Sequence, residues 1–213
     1  MFRWPVVLLL ALSMNSAVTN SANAATRATA VATVASAGVS FGYPNSWVAY
    51  ALTKQGASDQ QQTFTQQDPK LAEVYGVFAP TESIAKETIA LYAVDLDAAV
   101  AGRFGSTVEV ALYSANLPRT LDQFTSSLGA EYEGSGISVL HTSSVKIGAR
   151  IAYRDDVRSP YFNTANGTAI KGRSGELLIP LTGHGYVNVS VNSSDDAAGI
   201  ATINSILHSV RRT

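Results

Sequence analysis

The chain contains no cysteine. Disulfides, thiolate zinc ligands, a cysteine nucleophile and a lipid-bearing cysteine are all excluded by that absence. Charge is sparse as well, at 15% of the residues, and it nearly balances: 15 basic against 16 acidic side chains, for a formal net charge of −1. A basic footprint for nucleic acid is therefore missing, and no nucleic-acid partner is expected. Only three histidines occur, and none lies at close spacing to another, so no metal and no cofactor is expected. The phosphate-cradling glycine motifs are absent. So is the G-x-S-x-G turn of a serine hydrolase, for which Gly172 to Gly175 (GRSG) has the wrong spacing. What the chain does have is an apolar fraction of 46% over 213 residues. That composition fits one globular domain and excludes disorder through low hydrophobicity.

The N-terminus reads as an export signal. Arg3 supplies a positive start, Val6 to Leu12 (VVLLLAL) a short apolar core, and Ala22 and Ala24 the small residues of a cleavage site, which places the cut before Ala25. The apolar core falls short of the roughly 20 residues that a permanent anchor needs. Domain organisation is thus expected as a signal over 1–24, a spacer over 25–37 rich in Ala, Thr and Val, with an extra edge strand on Val31, Thr33 and Val34 as its alternative, and a single domain over 38–213. No membrane span is expected after cleavage. The product is expected to be secreted, or held at the cell envelope without a covalent anchor.

Periodicity organises the remainder. Val39, Phe41 and Tyr43 alternate with small or polar residues, as in a half-buried strand, and Pro44 to Ser46 form a turn. Trp47 to Leu52 returns as a second strand, and the glutamine-rich 56–62 stretch reads as a loop. Asp68 and Pro69 start a helix whose stripe is Leu71, Val74, Tyr75 and Phe78. Strands follow over 89–96 and 107–113. A second helix opens at Asn116 and Pro118, carries Leu121, Phe124 and Leu128, and stops at Gly129. Residues 137–143 and 147–153 form a hairpin, and 176–181 and 185–191 two further strands. The last helix is capped by Ser194, Asp195 and Asp196 and buries Ile200, Ile203, Leu207 and Val210. This order lacks strict strand–helix alternation, so the fold class is α+β with a mostly antiparallel sheet.

Two segments and one hairpin strand carry a resemblance. Gly38 to Trp47 (GVSFGYPNSW) is similar to the opening of the PsbP-like superfamily. The ending from Gly185 to Arg211 and the strand Gly148 to Tyr153 (GARIAY) resemble the same group, closest in style to actinobacterial secreted proteins of the LpqN type. The resemblance implies an α/β/α sandwich in which the tryptophan packs beneath the sheet, and an accessory or partner-binding role. It carries no functional residues. Lipoprotein members of that group require a cysteine after the signal, where this chain has Ala25.

Candidate chemistry concentrates in 153–173, expected as an irregular loop. It joins Tyr153, Tyr161 and Phe162 with Arg154, Arg158, Lys171 and Arg173, a mixture of aromatics and arginines that suits an interface. His184, between Gly183 and Gly185, is the histidine placed in a turn. Asp155 and Asp156 read as a surface charge cluster paired locally with Arg154 and Arg158. Asp95 and Asp97 share a strand face, without the further oxygens that calcium needs. These observations favour a non-enzymatic binding or accessory protein. The alternatives are a hydrolase or lyase with a dispersed site around His184 and Asp155 or Asp156, and a subunit of a larger extracellular assembly.

Overall fold

Alternating residues build most of the molecule. The computed structural model describes residues 29–51, 53–67, 71, 87–163 and 169–213. The signal segment, the helix expected from Asp68 to Pro80 apart from the buried Leu71, and residues 164–168 lie outside this set. The strands are β1 (Thr29–Val34), β2 (Val39–Pro44), β3 (Val48–Ala51), β4 (Glu87–Val94), β5 (Thr107–Tyr113), β6 (Ser138–Ile147), β7 (Arg150–Asn163), β8 (Ala169–Pro180), β9 (Tyr186–Ser194) and β10 (Arg211–Arg212). The helices are α1 (Lys54–Gln67), α2 (Leu96–Val100), α3 (Leu121–Tyr132) and α4 (Ala197–Ser209).

A seven-stranded sheet runs in the order β3-β4-β5-β9-β8-β7-β6, every neighbour antiparallel. A three-stranded antiparallel sheet, β1-β2-β10, lies beside it. The fold is α+β, as the element order implied. Pleating sends Val108, Val110, Leu177, Ile179, Val187, Val189 and Val191 to one face of the large sheet. There they form one core with Phe41 and Val39 of β2, with Trp47, and with Ile203, Ile206 and Leu207 of α4. Ring-bearing Tyr153 and Tyr186, with Leu178, face the other way and meet Phe124 and Leu128 of α3. Period two thus gives the central sheet two buried faces and one helix layer on each.

Several expectations change. The spacer expected over 25–37 contains β1, which pairs along the whole of β2. Ala32 and Val34 alternate inward and are buried, and without β1 the backbone groups on that side of β2 would lack strand partners. The loop expected over 56–62 is part of α1. Ala57, Gln60 and Phe64 recur at helical spacing and are buried, and glutamine is a good helix former. The α3 helix passes through Gly129 to Tyr132. Asp95 and Asp97 do not share a strand face: Asp95 follows β4 and its Oδ1 accepts from the Ala98 N–H at 3.1 Å, capping α2, which contains Asp97.

The largest revision concerns 153–173. The described residues of this stretch form no irregular loop but belong to β7 and β8, paired from Tyr153↔Leu178 to Asn163↔Ala169. Charged residues inside a strand mimic a loop in sequence. Here they are accommodated because Arg154 donates to Asp156 Oδ1 (3.0 Å) and to Asn204 Oδ1 of α4 (2.6 Å). Arg158 and Arg173, directly opposed across β7 and β8, would repel each other. Asp195 lies between them, 2.6 Å from Arg158 Nε and 3.6 Å from Arg173 Nη1, and ties the start of α4 to the hairpin.

Gly175 sets the approach of α4 to β8. A Cβ there would stand 2.4 Å from Ile203 Cγ2 and 3.0 Å from Leu207 Cδ1. The branched Ile203 side chain has little rotamer freedom in a helix, so α4 itself would have to move. Gly175→Ala is expected to destabilise the protein by about 1–3 kcal/mol through overpacking. Gly129→Ala, at a helical site with nothing within 4 Å, is expected to stabilise it by about 0.5–1 kcal/mol. Urea midpoints moving in opposite directions would establish the contrast; equal shifts would refute it.

Candidate functional site

A half-open cleft of about 480 Å³ lies at one end of the large sheet. Its walls are the β5–α3 connection and the β8–β9 turn, with the start of β7 between them. Leu117, Pro118, Ile151, Tyr153, Pro180 and Leu181 form its apolar part. Asn116, Arg119 and His184 bring polar groups to it, and no carboxylate lines it.

Each wall has a local cause. Proline at 118 and the Thr120 cap, whose hydroxyl accepts from the Gln123 N–H at 3.2 Å, fix where the connection ends and α3 begins. The opposite turn needs Gly183 and Gly185 at φ +93° and +92°. A side chain at 185 would also collide with the Tyr113 carbonyl oxygen, 2.2 Å from its Cβ. Asn116 joins the two walls. Its Oδ1 accepts from the Gly185 N–H at 3.3 Å, and its Nδ2 lies 3.5 Å from His184 Nδ1. Because a backbone N–H can only donate, the amide orientation is set, and its NH₂ faces the ring. Arg150 braces the turn from outside: Nη1 donates to the Pro180 carbonyl at 2.9 Å and Nη2 to Thr182 Oγ1. Tyr153 is buried and stacked on Phe124 at a centroid distance of 5.0 Å, so the cleft wall is continuous with the α3 core.

Of the residues singled out in sequence, the fold brings Tyr153 and His184 together at this cleft. Arg154 and Arg158 are elsewhere, in the ion pairs that hold α4. Tyr161 and Phe162 lie far along β7, in the portion paired near Ile170, and their side chains are outside the described residues. Asn116, Arg119 and Ile151 were missed. In sequence Asn116 reads as a helix opener, and its partner Gly185 is 69 positions away.

Asp155 and Asp156 do not form a surface cluster. Asp156 is 7% exposed and Asp155 is 0% exposed. They point to opposite faces of β7. Asp156 meets Arg154, whereas neither oxygen of Asp155 has a hydrogen-bond partner. Asp155 sits opposite Glu176 of β8, which accepts from Asn188 Nδ2 at 2.9 Å. Burial first, then the charges of Glu176, Asp156 and Glu131, push the Asp155 carboxyl well above the ordinary carboxylate range. Burial also raises Glu176, against the Asn188 hydrogen bond. Tyr132, at the end of α3, is raised by burial and by Glu176 and Asp155. Neither aspartate lines the cleft with His184. Among the described residues, no group of three or more metal-ligating side chains is placed to hold an ion. No described helix is long and apolar enough to cross a membrane.

Fold and site together define an α+β protein with a two-faced antiparallel sheet and a cleft at one end of that sheet. No family model and no curated protein matches the chain. Among solved structures, the chain is similar to cyanobacterial PsbP (CyanoP) from Synechocystis, with 8% identity over 92% of this chain and 98% of that one and a TM-score of 0.47. It is also similar to the Ran-binding protein Mog1p of Saccharomyces cerevisiae, with 10% identity over 87% and 96% and a TM-score of 0.45. A third is LpqN of Mycobacterium tuberculosis, involved in cell envelope biogenesis, with 10% identity over 90% and 87% and a TM-score of 0.43. PsbP and LpqN are the two names to which the sequence resemblance pointed. At such identities the likeness concerns the arrangement of strands and helices alone.

Proposed function

We propose that this chain is an exported, non-enzymatic binding or accessory protein of the cell envelope or extracellular space, and that it holds its ligand in the cleft between the 114–120 connection and the 181–185 turn. The observation that carries the reading is the cleft itself: a concave apolar surface with three polar groups on its walls and no acid among its lining. Apolar enclosure with a few fixed polar groups is the usual form of a small-molecule site. The signal-like N-terminus supports export.

Ile151 offers the direct test, because it lines the cleft and is 66% exposed, so that enlarging it need not disturb the core. A ligand from envelope extracts should raise the thermal midpoint of the parent and not that of Ile151→Trp. An equal rise in both proteins would place binding elsewhere and refute the reading. Export is tested on the protein recovered from culture medium, whose first residue should be Ala25.

A further inference from the structure

We propose that the ligand of this cleft is a small amphipathic carboxylate: one carboxylate head on an apolar body. The proposal rests on the cleft being the binding site and adds the chemistry of what enters it.

The charge on the walls selects the head. Arg119 lines the cleft and is exposed, and among the described residues its guanidinium has no hydrogen-bond or ion partner; only its backbone N–H is engaged, with Gln123 Oε1 at 3.1 Å. Arg150, close by, differs, since both of its terminal nitrogens are used to brace the turn. A guanidinium left over beside an apolar surface, with no acid in the lining, favours an anion there. His184 supplies the second donor. The Asn116 NH₂ faces its Nδ1 at 3.5 Å, an arrangement that suits Nδ1 as acceptor and Nε2 as donor. The Leu181 N–H donates to the Gly185 carbonyl at 3.0 Å and the Gly185 N–H to Asn116 Oδ1 at 3.3 Å, which close the turn and place His184 at the cleft.

Shape and charge favour a carboxylate. The planar guanidinium fork matches its two oxygens, and the single unpaired cation among the described lining residues offsets its single charge, whereas a phosphate brings about −1.5 to −2. The apolar body follows from the remaining lining: Leu117, Leu181 and the exposed Ile151, whose covering by hydrocarbon releases water from surface that the fold leaves bare.

Three probes of equal chain length separate the contributions: octanoate, octanol and octylamine, titrated at constant ionic strength and followed by ¹H–¹⁵N chemical shifts. The parent should bind octanoate at least about tenfold more tightly than octanol and should show the weakest binding to octylamine, as a charge-assisted hydrogen bond implies. Shifts should concentrate at 116–119, 151 and 181–185. Arg119→Gln and His184→Gln, both at exposed positions, should each bring octanoate down toward octanol while octanol binding stays constant. If octanol binds as tightly as octanoate, with shifts at the cleft, the carboxylate assignment falls and the cleft remains a binding site. An octanoate advantage that survives both substitutions also overturns the assignment. If none of the three probes perturbs the cleft, the proposal falls. Should Ile151→Trp then respond to extracts as the parent does, the reading of the cleft falls with it.

Discussion

Asp155→Asn is expected to flatten a loss of stability that the parent undergoes as the pH rises above about 4. Asp155 is fully buried, its two oxygens have no hydrogen-bond partner, and its neighbours across the sheet and from α3 are Glu176, Glu131 and Tyr132. The charges of Glu176, Asp156 and Glu131 all oppose its ionisation, and its own backbone N–H offsets them only in part. Its carboxyl is therefore pushed well above the ordinary value of 3.8, with burial the leading cause and Glu176 the next. The direction of the effect follows from proton counting. Below the unfolded value both states hold the proton, and the site contributes no pH dependence. Above it the unfolded chain ionises first, the folded chain binds more protons, and stability falls until the folded group also ionises. One retained proton corresponds to a slope of about 1.4 kcal/mol per pH unit. Glu176, raised in the same direction, adds to the slope and keeps a remnant of it in the variant. Urea unfolding of parent and variant from pH 4 to 8 provides the measurement. The two curves should cross: the variant buries an unpartnered amide and gains nothing at pH 4, yet is the more stable protein at pH 8. Parallel profiles would mean that Asp155 does not hold its proton in the folded chain.

Trp47→Ala is expected to cost about 3–5 kcal/mol, a large share of the roughly 5–15 kcal/mol that holds a domain of this kind together. Trp47 is 6% exposed and belongs to the core made by β2, the large sheet and α4. Its backbone N–H donates to the Pro44 carbonyl at 3.0 Å, which closes the turn that aims the indole inward. The indole Nε1 has no hydrogen-bond partner, so the side chain acts through its volume. Trp47→Phe should accordingly recover most of the loss. Far-UV circular dichroism during urea unfolding reads both variants. If phenylalanine is as damaging as alanine, volume is not what Trp47 contributes.

These two residues also mark what could be read in advance. Trp47 was legible because a strand of alternating Val39, Phe41 and Tyr43 followed by a proline turn can return only with its next large apolar residue on the buried side. The terminal helix was equally plain: Asp196 caps it, accepting from the Gly199 N–H at 2.8 Å, and Ile203 and Leu207 are buried at the expected spacing. Strand β5 occupies the span its alternation indicated. By contrast, α1 was obscured because its buried stripe is thin, with Gln60 in place of an apolar residue. The β7–β8 hairpin was obscured because charge inside a strand looks like a loop until its partners are known, and those partners, Asn204 and Asp195, come from α4 or its approach.

The sequence by itself determined the local elements with a clear period, the α+β class, and the exclusion of thiol chemistry, because each of these depends on residue type and on neighbours a few positions away. Only the tertiary structure decided that Asp155 is buried against Glu176, that Arg158 and Arg173 share Asp195, and that Asn116 meets the turn holding His184. The reason is physical. Burial and electrostatic environment belong to a residue's neighbours in space, and the antiparallel sheet assembles those neighbours from strands far apart in the chain.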